Sequence, residues 1–238
     1  MRIFVIKKRY VYVCFFALFL ICGIIISGSK TIKTIQTNAS PILNKTIVID
    51  AGHGLPDQGT MGKSGVSEQK LNLQVALKLQ EIIEQSGAKV LLTRSDENGI
   101  YEVDKQSIRA KKISDMNNRV EIGNNSDADI FVSIHMNYYT DSKYSGWQTF
   151  YQTKNEKSKS LANLIQNALN ENIEKKKRNP MAIKGAYIMD NVKIPAVIVE
   201  CGFLSNKKEE ENIKTDEYQT KLAWGIYIGI QKFFMEVK

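Results

Sequence analysis

The apolar positions of this chain change their spacing several times, and each change predicts an element. Val11–Ser27 (VYVCFFALFLICGIIIS) runs without a charge behind Arg2, Lys7, Lys8 and Arg9. A basic start followed by a short apolar run is the pattern of a signal peptide or a signal-anchor helix. The basic flank predicts that everything after it is exported. Ser27-Gly28-Ser29 matches a cleavage site only loosely, which favours an uncleaved anchor. Gly28–Lys45 has no period, is rich in Ser, Thr and Asn, and contains Pro41, so it reads as a tether. The expected organisation is an anchor or signal over 1–28, a linker over 29–45 and one folded domain over 46–238.

From Thr46 onward strand and helix signals alternate. Short apolar runs predict strands at Thr46–Asp50, Ala88–Thr93, Asp129–His135, Gly146–Thr153 and Ala196–Glu200. Helical spacing predicts helices over Glu68–Ser86 behind an N-cap at Ser67, over Met116–Asn125, over Lys157–Lys177 and over Asp216–Phe234. This alternation implies an α/β domain with a mostly parallel mixed sheet flanked by helices on both faces. Ser95–Asp115 is polar and lacks a period. It reads as a flap near a site, a helix from Gln106, or a surface excursion.

Charge changes the picture once the membrane end is set aside. The chain carries 33 basic and 25 acidic residues, but seven of the basic and none of the acidic lie in residues 1–45. The folded part therefore holds 26 against 25. A strongly basic surface, the usual footprint of nucleic-acid binding, is missing, so nucleic acid is not expected as a partner. Cys201 is the one cysteine of the folded part and has no internal partner, so the fold must rest on its core.

The chemistry centres on two histidines, the only two in the chain. His53 follows the strand VIDA in a glycine-rich turn, and His135 ends the strand IFVSIH. Strand ends are where α/β sheets build sites. Two imidazoles call for a carboxylate to complete a hydrolytic zinc centre with one open position. Glu68 is the candidate: it follows a turn rich in glycine and falls in the first helical turn, where the helix dipole favours an acid. An ordinary N-terminal helix acid and two structural imidazoles are the plainer alternatives. Glu200 ends the apolar strand AVIVE, so it must be paired, metal-bound or catalytic. Burial would raise its pKa toward the range of a general base. A salt bridge to a lysine is the alternative. Asp50 and Asn137 flank the histidines and suit either hydrogen-bonded orientation of the ligands or turn formation. Cys201, with no further histidine to activate it, reads as a small core residue.

Taken together, VIDAGHG, the Glu68 helix, FVSIHMN and PAVIVECGFLSN resemble the zinc-dependent N-acetylmuramoyl-L-alanine amidases of the amidase type 3 family, over about Thr46–Phe234. A membrane segment without wall-binding repeats resembles the spore-cortex, germination-specific branch. The resemblance implies Zn²⁺ on His53, Glu68 and His135, with Glu200 catalytic. It implies peptidoglycan as substrate, outside a bacterial membrane on the spore-cortex side, and leaves room for an activating protein partner. Arg94, Arg119 and Asn124 also match family positions. Ala51, Thr60 and Gly123 depart from the commoner Pro, Ala and Ala. Two other functions stay open: a zinc carboxypeptidase on stem peptides, with Arg94 or Arg119 clamping the terminal carboxylate, and a wall-binding scaffold without turnover. Tyr138 and Tyr139 are candidates to stack on sugars, Trp147 belongs to the core, and Lys175–Arg178 reads as a solvated helix end.

Overall fold

The computed structural model describes residues 40–173 and 178–237. The anchor expected over 1–28, most of the linker, and Lys175–Lys177 lie outside the described residues. Among those described, no helix is long and apolar enough to cross a membrane.

In chain order the elements are β1 (Thr46–Ala51), α1 (Glu68–Gln85), β2 (Lys89–Leu92), α2 (Ile108–Asn125), β3 (Ile130–Asn137), β4 (Gln148–Gln152), α3 (Glu156–Asn172), β5 (Met181–Ile183), α4 (Tyr187–Asn191), β6 (Ala196–Phe203), α5 (Lys207–Ile213) and α6 (Asp216–Glu236). They form one mixed six-stranded sheet in the order β2-β1-β3-β6-β4-β5. Every neighbouring pair is parallel except β4 with β6. The chain leaves β1 for β2 on one side and returns to β3 on the other. The carboxyl ends of β1 and β3 therefore form a topological switch point, the place where such sheets open a crevice.

Two cores cover the two faces, and strand alternation decides which residue joins which. Ile47 and Ile49 of β1, Ile130, Val132 and Ile134 of β3, and Val197 and Val199 of β6 pack under α1, α3 and α6. Val48, Phe131 and Ala196 face the other way, among residues of α2 and α4. Asp50, Ser133, His135 and Glu200 have the parity of this second face. The smaller α2–α4 layer thus belongs to the face that carries the polar strand-end residues.

Three expectations change in detail. The last residues of the expected linker pack onto the domain: Ile42 is fully buried, and Lys45 pairs with Asp129 at 2.9 Å. Residues 40–45 therefore belong to the fold. Helix α2 begins at Ile108, where the Ser107 hydroxyl accepts from the Ala110 N–H at 3.1 Å. The unperiodic stretch before it packs down and is no free flap, because Leu55 is hydrogen-bonded to it twice, donating its N–H to Glu97 O and accepting from Gly99 N. Third, Ser67 sits at the N-cap of α1 but its hydroxyl makes no cap bond. The loop satisfies the helix start: Glu68 N donates to Thr60 O and Gln69 N to Gln58 O.

Leu79 of α1 is fully buried in the larger core. Leu79→Ala is expected to cost about 3 kcal/mol through lost burial and an unfilled cavity. Urea unfolding of both proteins checks this, with a fall in midpoint at unchanged slope expected.

Candidate metal centre

The His53 turn is built by two buried arginines. His53 has φ +61°, a left-handed conformation that costs a residue of this kind about 1 kcal/mol or more. Arg94, at the end of β2, donates Nε to the carbonyls of Ala51 (2.8 Å) and His53 (2.7 Å), and Nη2 to those of Gly52 (3.0 Å) and Gln69 (2.7 Å). Arg119 of α2 donates Nη1 to Ala51 O at 2.7 Å and Nη2 to His53 O. Asn72 Nδ2 adds a bond to Gly52 O. The carbonyls of 51–53 thus point inward at cations, which turns the imidazole outward.

Asp50 anchors this arrangement. It is fully buried and accepts from Arg119 Nη1 at 2.6 Å, Thr93 Oγ1 at 2.8 Å and Ser133 Oγ at 2.5 Å. Burial alone would raise its carboxyl, but Arg119 and the two hydroxyls hold it below the ordinary carboxylate range. Burial would likewise lower Arg119, yet Asp50 and Asp115 hold it above its ordinary value. Arg94, buried beside Arg119, falls to about 10. Asp50, Arg94 and Arg119 therefore shape the loop. The guanidinium donors of Arg94 and Arg119 are taken by carbonyls and carboxylates, so neither is presented to a substrate.

Three donors converge at the switch point. Glu68 Oε1 lies 3.2 Å from His53 Nε2 and 3.0 Å from His135 Nδ1. The ligand atoms of all three residues lie within 4.8 Å of one another. Two zinc bonds of about 2.1 Å at a tetrahedral angle set donors about 3.4 Å apart, so the spacing fits one small ion. The other oxygen, Glu68 Oε2, accepts from Thr60 N (2.9 Å) and Thr60 Oγ1 (3.0 Å), which fixes the carboxylate's rotation. Thr60 thus contributes its backbone N–H and its hydroxyl to holding the Glu68 carboxylate. Two glycines make the approach possible. A Cβ on Gly52 would lie 2.3 Å from the His135 ring, and one on Gly59 would lie 2.6 Å from Glu68 Oε2.

The charges around this set favour a cation. Burial opposes ionisation of Glu68, but His135 and His53 hold its carboxyl well below the usual range. Burial also opposes protonation of His53, yet Asp57 and Glu68 push it up to about 9. A group of donors that grips a proton so firmly is suited to a metal ion, which must displace that proton on binding.

Asp57 is the residue that the sequence reading missed. Its Oδ2 lies 3.0 Å from His53 Nδ1 and 2.9 Å from Lys112 Nζ. It fixes the ring so that Nε2 faces Glu68, as a metal-ligating imidazole requires. Its place directly after the GHG-Leu-Pro turn, four residues past His53, was the available signal.

Glu200 stands beside His135 in the β3–β6 register, on the same face of the sheet. The residue is partly exposed, but its Oε2 is sealed from solvent and has no hydrogen-bond partner among the described residues. Burial, with a smaller effect of Glu68, lifts its pKa to about 7 against the pull of His135 and His53. A carboxylate sealed in this way is poised to take up a proton. A cavity of about 90 Å³ opens against His53 and His135, walled by Met116 and Ile188.

Other expected residues lie elsewhere. Asn137 follows a register shift in the β3–β6 pairing, and its backbone carbonyl accepts from Leu204 N. Asn124 ties α2 to the loop before β6 through Asn191 O and Lys193 N. Cys201 is fully buried and its thiol is pushed far up by burial and Glu200, so it is inert. Trp147 is in the core, while Tyr138 and Tyr139 are exposed.

The chain matches the family described as N-acetylmuramoyl-L-alanine amidase over residues 47–232. It is 35% identical over 196 residues to the germination-specific N-acetylmuramoyl-L-alanine amidase of Bacillus subtilis, covering 82% of each chain. Among solved structures, it is similar to the CwlD amidase of Clostridioides difficile, determined in complex with the GerS lipoprotein. The TM-score there is 0.79 at 43% identity, over 82% of this chain and 100% of that one. A second N-acetylmuramoyl-L-alanine amidase from Clostridium difficile 630 gives a TM-score of 0.70 at 31% identity, over 82% and 98%.

Two outcomes test the donor set with zinc as probe. Asp57→Ala is expected to weaken zinc binding by about tenfold or more, measured by competition with a chelator. Because His53 holds its proton up to about 9, zinc uptake at pH 7 should release a proton and strengthen as pH rises toward that value. Calorimetry in buffers of different ionisation enthalpy reads the released proton, and pH-independent affinity would contradict the assignment.

Proposed function

The chain belongs to the N-acetylmuramoyl-L-alanine amidase family, and from that premise we propose a zinc-dependent cleavage of the amide between N-acetylmuramic acid and the L-alanine of the stem peptide. The observation that carries the reading is the convergence of His53 Nε2, Glu68 Oε1 and His135 Nδ1 beside a sealed Glu200 carboxylate.

We propose His53, Glu68 and His135 as the zinc ligands. Zinc at such a site would supply a Lewis acid for the scissile carbonyl and lower the pKa of water to about 7. Glu200 takes the proton of the attacking water as the carbonyl carbon becomes tetrahedral. It then gives that proton to the departing alanine nitrogen as the C–N bond breaks. A carboxyl near 7 serves both halves, since it accepts and returns a proton at little cost. Asp57 and Thr60 hold the ligands in orientation.

The carboxypeptidase alternative needs a cationic clamp for a terminal carboxylate. Arg94 and Arg119, the candidates for it, are buried and spend their donors on the His53 turn. The scaffold alternative leaves the unpartnered Glu200 oxygen without a purpose.

The same proposal takes residues 1–28 as a membrane anchor or signal and the residues up to 39 as a tether, placing the domain outside a bacterial membrane at the peptidoglycan. Similarity to the germination-specific enzyme supports a role in the spore cortex. The lipoprotein bound to the Clostridioides difficile relative supports an activating protein partner here.

Glu200→Gln is expected to keep zinc and lose hydrolysis by at least about a hundredfold. Mass spectrometry of digested muropeptides should show glycan freed of peptide, and shortened peptides would instead indicate a carboxypeptidase. Activity should rise with pH as Glu200 loses its proton, with a midpoint at about 7 or, with a bound cation nearby, below it. A rate that falls with pH over that limb would remove Glu200 as the base.

A further inference from the structure

Two loops that serve the site meet on one short helix. Helix α5 follows the Glu200 strand and carries the adjacent glutamates Glu209 and Glu210, both buried. At 3.6 residues per turn, neighbours on a helix point about 100° apart. The two carboxylates therefore reach different loops.

Glu209 accepts from Phe203 N at 2.8 Å through Oε2 and from Gly146 N through Oε1. Phe203 lies three residues past Glu200. Gly146 lies two before Gln148, the β4 residue paired with Glu200. Glu209 thus closes the open end of the β4–β6 ladder beside the base. Glu210 Oε1 accepts from Ser64 N at 2.8 Å and Ser64 Oγ at 2.6 Å, and Lys214 Nζ donates to the same hydroxyl at 3.0 Å. Ser64 is the tip of a loop whose base is the ligand Glu68. Hydrogen bonds cross this loop at Gly62 N to Val66 O and at Glu68 N to Thr60 O, so it behaves as a short braced rod.

We propose that Glu210 is a positioning residue for the ligand Glu68, that Glu209 is one for the base Glu200, and that α5 is the rigid mount that sets one against the other. This rests on the zinc-site reading above. Neither glutamate touches the donor set. Each acts through backbone N–H groups, which a buried carboxylate grips strongly enough to offset its own desolvation.

The test uses the full chain, with zinc affinity read by chelator competition and kcat on muropeptides at saturating zinc. Glu210→Ala is expected to weaken zinc binding about tenfold while leaving that kcat essentially unchanged. Glu210→Gln should restore the affinity, because one amide oxygen can accept both Ser64 donors. Glu209→Gln should lower kcat at unchanged zinc affinity and give no rescue, because its carboxylate uses both oxygens on separate N–H groups. Should Glu210→Ala fail to fold, Ser64→Ala removes the contact from the loop side and must weaken zinc binding in the same direction. Wild-type zinc affinity in Glu210→Ala, or equal losses of both quantities in the 209 and 210 variants, would overturn the proposal. A wild-type chain that takes up no zinc would overturn the zinc reading itself.

Discussion

Everything at the site depends on the carbonyls of Ala51, Gly52 and His53 being held inward by Arg94 and Arg119. A left-handed non-glycine residue costs about 1–3 kcal/mol. Hydrogen bonds to charged groups contribute about 1.5–3 kcal/mol each, and several act on these three carbonyls. The grip outweighs the strain. Its cost is two buried cations sharing the same carbonyl acceptors, which Asp50 and Asp115 offset by pairing with Arg119. Removing one member of such a pair leaves a buried charge unpaired, a loss of about 3–5 kcal/mol. The loop geometry and the stability of the α2 layer are therefore one problem with one solution.

The sheet supplies the rest of the placement. Parallel register sets His135 beside Glu200 on neighbouring strands. Alternation puts both on the face that α2 and α4 cover only partly, while the same strands send Ile134 and Val199 into the larger core. Glu68 comes from α1, on the opposite face, and reaches the two histidines from the end of the sheet. The proposed ligands from both layers converge at the switch point because that is where a turn and a helix start can meet without a strand between them.

The segment after Glu200 has a different task. Leu204 N bonds Asn137 O, Ser205 Oγ accepts from Tyr139 N, and the Asn206 side chain donates to Ser142 O and Tyr144 O. These bonds knit the loop after β3 to the end of β6, so the two strands that present His135 and Glu200 cannot separate at their tips.

Strand positions, the two histidines, Glu68 and Glu200 were legible in the sequence, because short apolar runs, helical spacing and isolated polar residues at run ends are local signals. The fold class followed from their alternation. The missed β5, α4 and α5 are too short to show a period, and α2 was read late because its first turns, Ile108 to Asp115, are polar and partly exposed. Asp50, Arg94 and Arg119 were identified as relevant, but a sequence cannot tell a buried guanidinium gripping carbonyls from an exposed one awaiting substrate. Asp57 sits close to His53 in sequence, but its role was not legible for the same reason: its partner is a ring nitrogen fixed only when the turn closes. Residue types and their order along the chain determined which chemistry is available. Burial, register and the direction of each donor decided which residues perform it, because those are set by contacts between segments distant in sequence.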